Sequence, residues 1–144
     1  MTVEDLSILD FHENAEHNRS VIRTVSEGLV SYNLAMRPDP SAAPVTLAVR
    51  DEEGQVCAGL LGRTAWNWLR IDSVWVSDER RGKGVGRELI LRAEQIARDR
   101  GCRGAHLDTF GFQAPDFYSR LGYQSFGQLE DYPDETHYFF KKEL

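Results

Sequence analysis

Residues 79–89 form the segment that most constrains this 144-residue chain, Glu-Arg-Arg-Gly-Lys-Gly-Val-Gly-Arg-Glu-Leu. A short apolar run precedes it, and a long amphipathic pattern follows it. A glycine-rich turn from a strand into a helix leaves backbone N–H groups at the helix N-terminus, where the helix dipole adds partial positive charge. Because glycine lets an anion approach the backbone closely, the segment favours a phosphate site. The alternative is that the glycines only allow a sharp turn.

Composition and charge describe an ordinary globular protein. The net charge is −6, with 41% hydrophobic and 28% charged residues. A chain of this length buries about 70% of its unfolded surface, so we expect one domain over residues 1–144. The acidic balance argues against a nucleic-acid partner, and no apolar run is long enough for a membrane span. Residues 80–103 are the exception, with eight basic and three acidic side chains.

The first residues and the two cysteines indicate the compartment. Residues 1–10 carry acids where a signal peptide needs bases, so we expect a cytoplasmic protein. Cys57 and Cys102 have neither a Cys-x-x-Cys partner nor a neighbouring His, and we expect both to be reduced and buried. His12 and His17 stand five residues apart, which is not metal-ligand spacing with another ligand type, so no metal is expected.

Hydrophobic periodicity predicts the order strand, helix, three strands, helix, strand, short helix and two strands. Gly28 leaves open whether the first helical segment is one broken helix or two. This order is typical of a mixed α/β domain with one central sheet. The predicted strands cover residues 3–10, 45–51, 53–66, 66–76, 103–110, 123–129 and 136–144, and the helices cover 13–36, 85–101 and 115–122.

The glycine spacing argues against two common nucleotide sites. The segment lacks the G-x-x-x-x-G-K-[ST] spacing of a P-loop and the third glycine of the G-x-G-x-x-G dinucleotide pattern. What remains is R-x-x-G-x-G, formed by Arg81, Gly84 and Gly86 between a predicted strand and a predicted helix.

A second pattern lies at residues 114–123, Ala-Pro-Asp-Phe-Tyr-Ser-Arg-Leu-Gly-Tyr. With both patterns, and in the order of its elements over nearly its whole length, the chain resembles the GNAT superfamily of acyl-CoA-dependent N-acetyltransferases. Residues 107–123 together with Leu-Glu-Asp-Tyr-Pro at 129–133 also resemble a bacterial subgroup of small GNAT proteins. The resemblance implies a mostly antiparallel central sheet, splayed at the cofactor strand, with helices on both faces. The second pattern rests on Ala114, Phe117, Tyr118, Gly122 and Tyr123.

The resemblance also implies acetyl-CoA as cosubstrate and assigns its contacts. The strand before the glycine turn would bind the pantetheine arm through its backbone, and the turn would hold the pyrophosphate. Many members place an Asn where this chain has Gly111, and Gln113 is the candidate to replace that contact. The implied cofactor-binding residues are Val74, Trp75, Val76, Arg81, Gly82, Lys83, Gly84, Val85, Gly86, Arg87, Gln113 and Tyr118.

Acetyl transfer to an amine needs a base, a donor to the thioester oxygen and an acid for the leaving thiolate. By resemblance, Tyr118 is the acid and the backbone N–H of Val76 or its neighbour is the oxygen donor. Asp72 is the candidate base, because it lies on the strand that leads into the glycine turn, two residues before Val74, and several members carry an acid there. Glu130, Asp131 and His137 are reserve candidates. Strand alternation predicts that Asp72, Val74 and Val76 share one face. The structural alternatives are a packed tyrosine and an outward-facing strand acid.

These assignments predict an N-acetyltransferase that moves an acetyl group from acetyl-CoA to a primary amine. The alternatives are an acyl-CoA-binding sensor without catalysis and a nucleotide-binding module. The acceptor would be a small molecule or a peptide, and a homodimer is compatible with the sequence. By family analogy the early helix and the closing hairpin line the acceptor entrance, with Tyr32, Asn33, Trp66, Trp68 and Tyr132 as candidate wall residues.

Overall fold

A computed structural model describes residues 15–131 and 134–144. Two compact units, residues 1–39 and 40–144, are described separately. The strand predicted at 3–10, His12 and Tyr132 lie outside the described residues. No helix within the described ranges is long and apolar enough to cross a membrane.

The first unit contains one helix, α1, Ala15–Met36. It runs through Gly28 without a break, which decides between the two alternatives left open by the sequence. No atom from outside the helix and the neighbouring residues lies within 4 Å of the place where a side chain at Gly28 would begin. A single glycine inside 22 residues weakens a helix by about 1 kcal/mol without stopping it.

The second unit is built on a six-stranded mixed sheet in the order β1-β2-β3-β4-β6-β5. Four neighbouring pairs are antiparallel, and only β3 and β4 run parallel. This confirms the mixed α/β class and the mostly antiparallel sheet. The strands are β1, Ala43–Arg50; β2, Val56–Ala65; β3, Trp68–Val76; β4, Gly104–Phe110; β5, Gln124–Asp131; and β6, Glu135–Glu143.

Helix α2, Val85–Asp99, supplies the main apolar face that covers the sheet. Its side chains at Leu89, Ile90, Ala93 and Ala97 are buried, as the sequence periodicity predicts. They join a core that contains residues of β2, β3, β4 and β6, and both cysteines are buried and outside any disulfide. A second helix of this unit, α3, spans Pro115–Arg120.

A β-bulge interrupts β3 at Asp72. Leu61 of β2 pairs with Ser73, but the next residue, Gly62, pairs with Ile71, so Asp72 is the extra residue. The bulge changes which residues face the core, because Ile71 and Val74 both pack there. The prediction that Asp72 shares a face with Val74 and Val76 is therefore wrong.

Strands β3 and β4 part soon after they meet. Their parallel pairing covers only Trp68–Arg70 against Gly104–His106, and the register ends there. Beyond this point β4 stays paired with β6 up to Phe110, while β3 stays paired with β2. The sheet thus opens between its two middle strands at the end where β3 leads into the glycine turn.

A buried carboxylate fastens α2 to the far side of the core. Glu94 is 0% exposed. Both of its carboxylate oxygens accept from Lys142 Nζ at 2.9 Å, and Oε1 also accepts a hydrogen bond from the Tyr123 hydroxyl at 3.0 Å. Burial, followed by the Glu94 charge, raises the pKa of Tyr123, so its hydroxyl remains a donor. A buried charge is tolerated only when it is paired and hydrogen-bonded in this way.

We expect Lys142→Met to destabilise the fold by about 3 kcal/mol, because it leaves the buried Glu94 carboxylate without its main cation. The double variant Glu94→Gln with Lys142→Met should recover about 1 kcal/mol or more. Urea unfolding measures both values. The exposed pair Glu88 and Arg92, at 3.1 Å on the same helix, is the control, and its removal should change stability by less than about 0.5 kcal/mol. Equal costs for the two pairs would contradict this account.

Candidate active site

The gap between β3 and β4 opens into a cleft of about 1020 Å³. One wall is the end of β3, the other is β4 with α3, and the glycine turn and the start of α2 close one end. The cleft is lined by Ile71, Asp72, Ser73, Val74, Trp75, Val76, Arg80, Arg81, Gly82, Gly84, Val85, Gly86, Arg87, Leu107, Asp108, Thr109, Phe110, Phe112, Gln113, Ala114, Phe117 and Tyr118. Every residue that the sequence assigns to the cofactor is in this lining except Lys83.

The glycine turn presents free backbone donors to the cleft. Gly82 and Gly84 have φ of 71° and 80°, the left-handed region that glycine adopts without strain. Gly84 is the N-cap of α2 and provides no side-chain cap, and the first bond into the helix is from Glu88 N–H to Gly84 C=O at 3.0 Å. The N–H groups just before Glu88 therefore lack an intrahelical acceptor and suit an anion.

Arg81 shapes the turn rather than pointing freely into the cleft. Its Nε donates to the Val76 carbonyl at 3.0 Å, and its NH1 lies 2.9 Å from Asp78 Oδ1. These contacts tie the turn back to the end of β3. Arg80 and Arg87 also line the cleft and add positive charge beside the backbone donors.

Lys83 is placed differently from the prediction. It lines a neighbouring depression of about 530 Å³ with Glu88 and Arg92. The reason is local: positive φ at both flanking glycines reverses the backbone direction around Lys83. An alternating run of small and basic residues in sequence does not say which side of the turn each base takes.

Asp72 lies in the β3 wall and is held by one neighbour. Its Oδ1 is 2.8 Å from Arg70 Nε, and its side chain is 42% exposed. The bulge places Asp72 where β3 has already left β4, so no strand of the described ranges covers it on that side. The carboxylate is thus fixed in orientation and accessible from the cleft.

Tyr118 lies on α3 in the opposite wall. Its ring meets Phe117 edge-on at 5.0 Å and Tyr123 edge-on at 6.1 Å, and it lies 6.2 Å from Phe140. Burial raises the pKa of Tyr118 above its ordinary value of 10.0, because the charged phenolate is poorly solvated there. The hydroxyl is therefore protonated at neutral pH, the state that an acid needs.

Gln113 is only partly available as a substitute contact. Its Oε1 accepts a hydrogen bond from Phe110 N–H at 3.0 Å, which steadies the short 3₁₀ turn Gly111–Gln113. The Glu135 carboxylate occupies the place where a side chain at Gly111 would begin. An Asn at position 111 would displace Glu135. This corner of the cleft therefore differs from the one expected in members that carry Asn at this position.

The candidate acceptor-wall residues within the described ranges lie on two different elements of the chain. Trp66 and Trp68 lie at the hairpin that begins β3, at the opposite end of the strand from the cleft, and neither lines it. Their prediction as wall residues is wrong for this cleft. Tyr32 and Asn33 lie on α1 in the other compact unit, and their role stays a prediction.

Sequence reasoning missed Asp108, which lines the cleft from β4, and gave His137 only a reserve role. The two are 2.7 Å apart. The available signal was that Asp108 is the one acidic residue between Gly104 and Phe110. Glu130 does not line the cleft. Within residues 15–131 and 134–144, no group of three or more His, Cys, Asp or Glu side chains could hold a metal ion.

Comparison with known proteins agrees with this geometry. The model of the acetyltransferase (GNAT) family matches residues 10–123. The blasticidin-S acetyltransferase of Streptomyces morookaense is 44% identical over 95 residues, which is 65% of this chain and 70% of that protein.

Solved structures match over almost the whole length. An acetyltransferase of Bacillus cereus is 32% identical with a TM-score of 0.76, covering 99% of this chain and 100% of that chain. An acetyltransferase of Agrobacterium tumefaciens is 29% identical with a TM-score of 0.83, covering 96% of this chain and 99% of that chain. The chain therefore belongs to the GNAT family of acetyl-CoA-dependent acetyltransferases.

Proposed function

We propose that the protein transfers the acetyl group of acetyl-CoA directly to a primary amine of a small molecule. One observation carries this proposal: a single cleft contains the uncapped helix N-terminus, the carboxylate of Asp72 and the protonated hydroxyl of Tyr118. An anion site, a base and an acid in one cleft are the groups that this reaction requires.

The cofactor would bind along the end of β3 and the glycine turn. Because no strand of the described residues pairs with β3 on the cleft side there, the backbone groups of Val74, Trp75 and Val76 that face the cleft can pair with the amides of the pantetheine arm. The pyrophosphate would accept hydrogen bonds from the turn between Arg81 and Arg87. These contacts would place the thioester near the middle of the cleft.

Residues of the two cleft walls, β3 on one side and α3 on the other, would carry out the proton transfers. Asp72 accepts the proton that an alkylammonium must lose before it can attack, directly or through water. As the amine adds to the thioester carbon, the backbone N–H of Val76 stabilises the oxygen that gains negative charge. The C–S bond then breaks, the acetyl group stays on nitrogen, and Tyr118 donates its proton to the leaving thiolate. The second proton, which the acetylated nitrogen loses, returns through water to the Tyr118 oxygen.

The acceptor proposal rests on charge and on one relative. The chain is acidic outside residues 80–103, which favours a cationic acceptor. The blasticidin-S acetyltransferase shares 44% identity with this chain over 95 residues, and its name records a small-molecule acceptor. A panel of blasticidin S, an aminoglycoside, spermidine, lysine and a peptide N-terminus, followed by CoA release, tests the class. A cytoplasmic location and a homodimer stay predictions from the sequence.

Replacing Gly84 by Asp should abolish measurable acetyl-CoA binding, because it places a negative charge where N–H groups face phosphate. Gly84→Asn is the matched control: it has the same size, and Asn also tolerates the left-handed backbone. We expect affinity roughly tenfold or more weaker for Asp than for Asn, measured by titration calorimetry. Equal affinities in two folded variants would refute the phosphate assignment.

Asp72→Asn should lower kcat/KM by roughly 10- to 100-fold at neutral pH. The loss should shrink as the pH rises, since more acceptor is then already neutral. A pH profile of kcat/KM for the best amine of the panel measures this. If the variant follows the wild type at every pH, another group or bulk water takes the proton.

Tyr118→Phe should lower kcat by roughly 10- to 100-fold, the low end for a general acid because thiolate is a tolerable leaving group. The ring and its packing remain, so stability and acetyl-CoA affinity should change little. Because burial raises the pKa of Tyr118 above 10.0, the wild-type enzyme should not lose this acid below about pH 10. Full activity in the folded variant would return Tyr118 to a packing role.

A further inference from the structure

Asp108 places a second carboxylate in the cleft, on the wall opposite Asp72. Its side chain is 44% exposed, and its Oδ2 lies 2.7 Å from His137 Nε2. A carboxylate can only accept, so Nε2 carries the proton and donates it in this hydrogen bond. No hydrogen bond within the described ranges uses the other oxygen, Oδ1, and Asp108 lines the cleft.

His137 holds Asp108 in one orientation. The imidazole stacks on Phe110 at 4.3 Å with 15° between the rings, and it lies 4.7 Å from Phe139. Its side chain is only 17% exposed, and β6 places it directly opposite Phe110 of the neighbouring strand β4. Packing against Phe110 and Phe139 favours the ring orientation that keeps Nε2 on Asp108.

The charges around the two carboxylates differ. Asp72 has the permanent cation of Arg70 at 2.8 Å, whereas no Lys or Arg in the described ranges lies within ion-pair distance of Asp108. His106 is the other titratable neighbour on β4; burial, followed by the Arg70 charge, lowers its pKa, so it is neutral at pH 7. Asp108 therefore faces the cleft without a permanent positive partner.

A reaction at one amine uses one proton acceptor, and in the proposed function that group is Asp72. We propose that Asp108 is a specificity-determining residue that binds a second cationic group of the acceptor. The proposal rests on the function proposed above. It names the acceptor class as amines that carry a further ammonium or guanidinium group, because a fixed, partly desolvated carboxylate binds such a group through charge-assisted hydrogen bonds.

Matched pairs of simple amines test this assignment: 1,5-diaminopentane against pentylamine, and 1,4-diaminobutane against butylamine, followed by CoA release. The wild-type kcat/KM should favour each diamine by roughly tenfold or more after correction for its two amino groups. Asp108→Asn should remove most of this preference, lowering kcat/KM for each diamine by roughly tenfold and for its monoamine by much less. By contrast, Asp72→Asn should slow both members of each pair.

His137 is a positioning residue, and its variant separates that role from stability. His137→Phe keeps an aromatic ring against Phe110 but removes the donor, so part of the diamine preference should be lost. Combined with Asp108→Asn it should cause no further loss, because His137 acts through Asp108. Independent, multiplicative effects on the preference would overturn this role.

Controls separate failure of this inference from failure of the proposed function. Glu143→Gln removes an exposed acid at the far end of β6 and should change neither amine of a pair. The inference is overturned if the wild type acetylates amines without preferring the diamines, or if Asp108→Asn slows both members of a pair equally. If the folded protein binds acetyl-CoA but acetylates no amine, including those of the antibiotic and polyamine panel, the proposed function fails and this inference fails with it.

Discussion

The short parallel contact between β3 and β4 is the constraint on which the site depends. Three residue pairs join the strands, and beyond Arg70 and His106 they separate. Neither strand loses its place in the sheet, because β3 remains paired with β2 and β4 with β6. The backbone of β3 that faces the gap therefore keeps unused donors and acceptors, which a ligand with amide groups can satisfy.

The β-bulge at Asp72 lies beside the same opening between β3 and β4. One extra residue in β3 shifts the alternation, so that the apolar side chains before and after it both reach the core. The extra residue needs no place in the core, and a carboxylate can occupy it at little cost. Gly62 lies opposite the bulge, and a side chain there would meet the Arg70 carbonyl. The two strands can approach this closely only because position 62 has no Cβ.

Three carboxylates of this fold each bind a polar or charged neighbour. How deeply each is buried decides whether it can only stabilise the fold or can also bind a ligand. Glu94 is fully buried between Lys142 and Tyr123, where it can only join elements together. Asp72 and Asp108 are each anchored through one oxygen and remain 42% and 44% exposed. An anchored carboxylate that stays partly solvated is accessible and already oriented, which favours binding and proton transfer over stability.

The sequence by itself determined the order of the elements from α1 onward, the apolar face of α2, the glycine turn and the position of Tyr118, because periodicity and glycine backbone preferences act within a few residues. Only the tertiary structure decided the bulge at Asp72, the departure of Lys83 from the cleft and the hydrogen bond between Asp108 and His137. Each depends on strand register or on backbone direction in a turn, and the last pair is separated by 29 positions. Local patterns carry no register, since the partner strand that sets it lies elsewhere in the chain.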